Sequence, residues 1–329
     1  MPKETRKRIR RRVLVALLIV VCVMGGWYGV NRALRSRNAL RTFEAEGARS
    51  ASPRFVGRLR IATYNIAHGR GTAQSNWQIT TKQAHLQRLK QIARLLKTER
   101  PDLVVLNEVD FDALWTCGIN HAETIAREGA FPFRVEHRHF DVAGPFVCFR
   151  FGNAVLSRYP VSDVREVDFP GLSSFESIFA GRKRGLLCRI SLSDEQSVRL
   201  LAVHLEHRSE SVRTRCARII ERVRRESDEP VIVAGDFNST PVNFPCATPD
   251  ADGRTAMSVL LATGRWRTLP TSAPAPAEFT FSTTKPRSVI DWILIPPNCK
   301  ILSKKVAGGQ LSDHYAVIME AEFGESARP

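Results

Sequence analysis

Val231-Ile232-Val233-Ala234-Gly235-Asp236-Phe237-Asn238-Ser239-Thr240-Pro241 is the stretch on which the reading of this chain turns. A short β-branched apolar run, as expected of a buried strand, stops at Gly235 and then presents Asp236 and Asn238. In an extended segment alternate side chains share a face, so both oxygen-bearing groups are expected on the same side. A carboxylate beside a neutral amide at a strand end suits a hard cation or a phosphate better than it suits a core. Gly-Asp after a strand also makes an ordinary turn, so the stretch gains its weight from the rest of the chain.

The pattern recurs. Arg60 to Asn65 reads as a strand ending in Asn65, Leu103 to Glu108 as one ending in Glu108, and Leu200 to His204 as one ending in His204. Val289 to Ile295 carries Asp291 inside an apolar run, and Ser312-Asp313-His314 precedes a last apolar strand, Tyr315 to Met319. Singly, each polar group has a bland explanation as a cap, a turn or a satisfied core residue. Together they point to strand ends converging on one site.

Seven motifs stand in this order: Thr-Tyr-Asn-Ile (63–66), Leu-Asn-Glu-Val (106–109), Gly-Asn-Ala-Val-Leu-Ser-Arg-Tyr-Pro (152–160), Val-His-Leu (203–205), Gly-Asp-Phe-Asn (235–238), Ile-Asp-Trp-Ile-Leu (290–294) and Ser-Asp-His-Tyr-Ala-Val (312–317). In this order they resemble the endonuclease/exonuclease/phosphatase superfamily, the deoxyribonuclease-I-like metal-dependent hydrolases, over about residues 58–323. The resemblance implies an α+β fold, a four-layer α/β/β/α sandwich of two mixed sheets flanked by helices, with the site at one edge. It also implies roles. Asn65 and Glu108 match metal-binding positions, and Asp313 joins them as an oxygen ligand. Asp236 and Asn238 match residues that position the attacking water and hold phosphate oxygens. His314 matches the catalytic histidine, Asp291 the acid that orients it, and His204 a second histidine at the phosphate or leaving group. Asn153 is expected to touch substrate or support His204, and His68 either reaches substrate or fills a loop. Asn107 stands where a Gln is common, and Ala67 where some nucleases of the family carry an acid, which puts a second metal position in doubt. The aromatic membrane-inserting hairpin of secreted sphingomyelinases is not evident.

Oxygen ligands with few negative charges suit Mg²⁺, or Mn²⁺, that keeps several waters and shares phosphate oxygens. The expected reaction is in-line hydrolysis of a phosphodiester or phosphomonoester by a positioned water. Its substrate is a nucleic acid, a phospholipid headgroup or a phosphorylated small molecule. A catalytically inactive, membrane-tethered binding module is the alternative from another class.

The rest of the chain fits one catalytic domain, expected to be monomeric. Ala84 to Lys97 places Leu86, Leu89, Ile92, Ala93 and Leu96 on one helical face before Pro101, and Ser209 to Ser227 reads as a long basic helix. Both are expected to pack outside a sheet. Thr268 to Phe279, rich in Pro, Ala, Thr and Ser, reads as a surface loop.

The N-terminus is separate. Val13 to Val30 carries no charge and follows Lys3, Arg6, Lys7, Arg8, Arg10, Arg11 and Arg12. It is long enough to cross a bilayer, with Trp27 and Tyr28 near its end. The cation bias predicts a cytoplasmic basic segment (1–12), a transmembrane anchor (13–30), a polar tether (31–57), an extracytoplasmic catalytic domain (58–323) and a short tail (324–329). A cleaved signal peptide is the rival.

This division explains the net charge of +16. Residues 1–54 hold 13 lysines and arginines against 3 acids, whereas residues 55–329 hold 36 against 30. Most of the surplus therefore belongs to topology and anionic headgroups, and the domain is only mildly basic. Arg182-Lys183-Arg184 and the arginines from Arg213 to Arg225 read as solvated faces. Of seven cysteines, the six outside the apolar N-terminal segment allow about 15 full pairings among which the sequence does not choose. Cys188 and Cys216 read as buried apolar residues, and Cys117 with Cys148 is the pair favoured for a disulfide.

Overall fold

A computed structural model of the chain describes residues 3–78, 81–143, 148–172 and 183–324. Two sheets carry the fold. The larger has seven strands: β1 (Leu40–Glu44), β2 (Arg58–Asn65), β3 (Leu103–Asp110), β4 (Phe133–Ala143), β5 (Cys148–Ser157) and, from the end of the chain, β11 (Lys300–Ala307) and β12 (Ala316–Glu322), in the order β1-β4-β5-β3-β2-β12-β11. The smaller holds β6 (Val161–Asp168), β7 (Arg184–Ser191), β8 (Ser197–His204), β9 (Val231–Asp236) and β10 (Asp291–Leu294), in the order β10-β9-β8-β7-β6. Both are mixed: β2 runs parallel to β3 and β8 parallel to β9, while the remaining pairs are antiparallel.

The two-residue period of a strand sorts the apolar side chains into layers. Leu59, Ile61, Leu103 and Val105 meet Leu200, Ala202, Ile232 and Ala234 between the sheets. Their sequence neighbours Ala62, Tyr64, Val104 and Leu106 turn the other way, onto helices α2 (Lys82–Glu99) and α3 (His121–Gly129). Leu201, Val203, Val231 and Val233 likewise turn outward, onto α4 (Glu210–Arg225) and α5 (Ala256–Leu261). Strands buried on both faces explain the unbroken apolar runs in the sequence. The result is the expected α/β/β/α sandwich.

The helices start where their caps dictate. The Thr81 hydroxyl accepts from the Ala84 amide and the Ser209 hydroxyl from the Val212 amide, each satisfying a donor that the first turn leaves free. At the far end of α2, Arg100 takes a left-handed conformation before Pro101. Each of these helices closes a crossover between parallel strands, β2-α2-β3 in one sheet and β8-α4-β9 in the other.

Helix α1 (Lys3–Asn38) precedes the sandwich. Its segment Glu4–Val30, 27 residues and none of its apolar window buried, is about 40 Å long and apolar enough to cross a membrane. Three expectations need correction. Residues 31–57 are no free tether: α1 runs to Asn38, β1 adds an edge strand to β4, and Ala48 is buried in the inter-sheet core. The folded body therefore begins near Leu40 and not at 58. All seven cysteines are free thiols, so Cys117 and Cys148 are not bonded, although Cys188 and Cys216 are buried as read. The strand around Asp291 is shorter than its apolar run, beginning at Asp291 itself. Of the tail, only Gly324 lies within the described residues.

Candidate active site

Four of the site residues stand at the C-terminal ends of the parallel pairs, Asn65 and Glu108 on β2 and β3, His204 and Asp236 on β8 and β9. The backbone at these ends is specialised. Gly235 has φ +149°, and a Cβ there would lie 1.8 Å from the Val203 carbonyl oxygen, so no other residue lets β9 approach β8 this closely before Asp236. The β3–β5 register shifts between Leu106 and Val109, and Glu108 has φ +52°. Glu108 thus sits on a bulge inside a strand that continues to Asp110, and is not the strand's last residue. Asn238 does not share an extended face with Asp236, as alternation predicted. It has φ +49°, and its amide donates to Asp236 Oδ1 (2.8 Å) in a tight turn that brings its side chain back to the Leu205 carbonyl (3.2 Å).

Asn65 connects the sheets. Its Nδ2 donates to Glu108 Oε1 (3.1 Å) and to Asp236 Oδ2 (3.0 Å), while its Oδ1 accepts from the Ala67 amide. Asn107, one residue before Glu108, makes a second connection: Oδ1 accepts from the Asp236 amide (2.9 Å), and Nδ2 donates to the Val203 carbonyl (3.0 Å) and to Asn153 Oδ1 (2.9 Å). Asn153 is fully buried, and its amide lies 3.3 Å from His139 Nε2. Its place is therefore beneath the site, bracing Asn107, rather than against substrate or His204.

Asp236 and Asp291 are direct cross-strand partners on β9 and β10. His314 Nδ1 lies 2.9 Å from Asp291 Oδ2, with Nε2 3.8 Å from Asp236 Oδ2. Burial opposes a charge on His314, but Asp291 outweighs it, followed by Asp236 and Asp313, and the imidazole is pushed up to about 10. Burial and the facing Asp291 raise Asp236 to about 6, against the pull of His314 and Lys183. His204 goes the other way: burial, then the neighbouring Lys183 ammonium, hold it well below the usual histidine range. Lys183 Nζ lies 2.9 Å from His204 Nε2 and donates to the Leu205 carbonyl (2.9 Å). Lys183 is thus built into the site and not on a solvated face. Arg184 pairs with Asp168, buried Arg213 pairs with Glu210, and Arg182 lies outside the described residues.

On the β3 side, burial works against the Glu108 charge, yet His68, Arg70 and His314 hold its carboxyl far below the usual range. His68 lies 2.6 Å from Asp110 Oδ1 through Nδ1 and 3.5 Å from Glu108 Oε2 through Nε2. It lines the site's cavity, which settles its position in favour of the cleft. Arg70 Nη2 donates to Asp313 Oδ2 (2.8 Å) and Nη1 to Glu108 Oε2 (3.4 Å). The cavity, about 300 Å³, is lined by His68, Glu108, His139, Lys183 and His204 among others, with Phe151 and Phe169 as apolar wall; Asp236, Asp291 and His314 are not on its wall.

Asp236, Asp291 and His314 offer ligand atoms within 4.8 Å of one another. His314 turns Nδ1 to Asp291 and Nε2 toward Asp236, a geometry that serves proton handling and also leaves these three residues able to hold a metal. Glu108 fits a hard cation better: ionised, oxygen-bearing, beside Asn65 and Asp236, and open to the cavity. Arg70 escaped the sequence reading, which took Lys183 as solvated and Asn107 only as a replacement for Gln. Lys183 was within reach of it, because pairing the start of β7 with the end of β8 brings it to His204; Arg70 had no local signal.

The sequence model of the Endonuclease/Exonuclease/phosphatase family matches residues 62–314. Sequence comparison with curated proteins finds no match. Among solved structures, an endonuclease/exonuclease/phosphatase from Beutenbergia cavernae is 20% identical, with a TM-score of 0.61 over 82% of this chain and 72% of that one. A Bacteroides vulgatus endonuclease/exonuclease/phosphatase is 16% identical, with a TM-score of 0.58 over 81% and 99%. D. rerio TDP2, solved with a single-strand DNA product, is 16% identical, with a TM-score of 0.56 over 81% and 100%. At such identities these structures speak for the fold. The family model, covering most of the chain and both crossover units whose ends build the cleft, carries the assignment: the chain belongs to the endonuclease/exonuclease/phosphatase family.

Proposed function

We propose that this protein is a divalent-metal-dependent phosphoesterase, held at a membrane by α1 with its catalytic domain outside the cytoplasm, that hydrolyses a phosphodiester or phosphomonoester. The observation that carries the reading is a buried cluster in which His314 lies 2.9 Å from Asp291 and 3.8 Å from Asp236, with burial raising Asp236 toward neutrality and the facing carboxylates keeping His314 protonated. Titratable groups pushed apart in this way are the mark of acid–base work.

Glu108 would hold Mg²⁺ or Mn²⁺, with Asn65 in contact with it. When bound, the ion would offset charge building on the phosphate oxygens. Asp236, ionised above about pH 6, accepts a proton from the attacking water as its oxygen bonds to phosphorus. The Asn238 amide fixes one Asp236 oxygen and Asn65 the other. His314, oriented by Asp291 through Nδ1, directs Nε2–H toward the phosphoryl oxygens. Lys183 adds a fixed positive charge beside neutral His204, and together they face the ester oxygen that departs when its bond to phosphorus breaks.

Trp77, Trp115 and Phe149 cluster next to His68, with ring centroids 5.6 Å apart for Trp77–Trp115 and 4.9 Å for Trp115–Phe149. Trp77 is 62% exposed. This aromatic surface suits a substrate with planar or apolar parts, a nucleic acid or a phospholipid, over a bare phosphorylated sugar. The TDP2 relative with its DNA product supports the first of these.

The test is a substrate panel of plasmid DNA, RNA, sphingomyelin and inositol phosphates, with Mg²⁺ and with a chelator. Metal-dependent release of product, abolished by chelation and by His314→Ala, is expected. A folded, metal-loaded protein that turns over none of them would favour the inactive binding module.

A further inference from the structure

We infer that Arg70 is a resident cation that competes with divalent metal for the acidic side of the cleft. The inference rests on the metal-dependent reading above and concerns a strong base that, among the described residues, bridges two of its expected ligands. Arg70 follows the irregular turn after β2, where Ala67 and His68 both take positive φ, and its guanidinium reaches the carboxylates of Asp313 and Glu108. Four acceptors hold it: Asp313 Oδ2 at 2.8 Å, Glu108 Oε2 at 3.4 Å, Asn76 Oδ1 at 3.2 Å and the Ala73 carbonyl, which accepts from Nε at 2.9 Å. Its side chain is 20% exposed, so water screens these contacts only in part.

The consequence follows from charge. A planar fork that spans two carboxylates hydrogen-bonds to both and offsets one of their two negative charges. A divalent cation reaching Glu108 meets a positive charge already in hydrogen-bond range of the same carboxylate, and Asp313 is drawn away from it. The chain therefore holds metal weakly until an anionic phosphate enters and gives the guanidinium another partner.

The experiment is a Mn²⁺ titration of the full-length protein in detergent without substrate, following free Mn²⁺ by electron paramagnetic resonance. Arg70→Gln is expected to tighten Mn²⁺ by roughly tenfold or more, since it removes a unit charge a few ångströms from the ion. Arg70→Lys, which keeps the charge but cannot span both acids, is expected to fall between that variant and the wild type. Each variant is first checked for a native far-UV dichroism spectrum, and either one, once folded, decides the matter. Affinity equal to or weaker than the wild type overturns the inference. If the wild type binds measurably and the variants bind no better, only this role of Arg70 falls. If none of the three binds Mn²⁺, the metal-dependent reading falls with it.

Discussion

The two crossover units, β2-α2-β3 and β8-α4-β9, are built alike and end differently. Each is a pair of parallel strands joined by a capped helix, and each delivers two polar residues at its strand ends. The first ends in Asn65 and Glu108, and the second in His204 and Asp236. Glu108 lies among His68, Arg70 and His204 and is held ionised, whereas Asp236 lies against Asp291 in a fully buried strand and is pushed up to about 6. The same connectivity thus yields a permanent anion on one side of the cleft and a titratable base on the other. Surroundings, not topology, set the chemistry, and that makes the two halves separable by experiment.

The largest effect is expected from the second unit. Asp236→Asn should lower kcat about 10³-fold, because proton acceptance is lost, while Tm stays level or rises since a desolvated carboxylate is removed. A variant that keeps wild-type turnover would assign the base elsewhere. Glu108→Gln in the first unit should instead raise the Mg²⁺ concentration needed for half-maximal activity at least about tenfold, a shift measurable by metal titration of the rate. If both variants lose activity with identical metal dependence, the division between the halves is wrong.

Gly235→Ala tests the backbone under the second unit. With the Val203 carbonyl oxygen 1.8 Å from the new Cβ, about 3 kcal/mol or more of stability should be lost in urea unfolding. Asn107→Ala cuts the brace between the units, leaving the Asp236 amide without its acceptor and Asn153 without its donor. A loss of about 1–3 kcal/mol is expected, with a smaller fall in kcat than for Asp236→Asn.

The pH profile gives the finest distinction. Asp236 must be ionised and His314 protonated, so kcat/KM should rise as pH climbs through about 6 and fall as it passes about 10. In Asp291→Asn the imidazole loses the charge that outweighs its burial, so the alkaline limb should move to lower pH. An unchanged alkaline limb would mean that His314 is not the group reporting there.

Much of this was legible in the residues. Short β-branched apolar runs ending in polar residues marked the strands, Ser209 and Pro101 marked helix ends, and the ordered motifs pointed to Asn65, Glu108, His204, Asp236, Asp291 and His314. Local pattern suffices there because strand period, caps and turn chemistry act over a few residues. It failed where the decisive partner is remote. Alternation put Asn238 on the wrong footing because the turn after Asp236 reverses the chain, and Leu40 to Glu44 read as tether because an edge strand is made by the strand it joins, β4. The cysteines Cys117 and Cys148 stayed free, which spacing does not reveal.

The sequence by itself determined the layers, the family and the kinds of atom available for chemistry, since these follow from side-chain type and short-range order. Only the tertiary structure decided that Lys183 leaves solvent for His204, that Asn107 ties one sheet to the other, and that Arg70 lies between Glu108 and Asp313. The physical reason is common to all three: charge and hydrogen-bond energies depend on separations of a few ångströms, and those separations are set by residues 21 to 243 positions away along the chain.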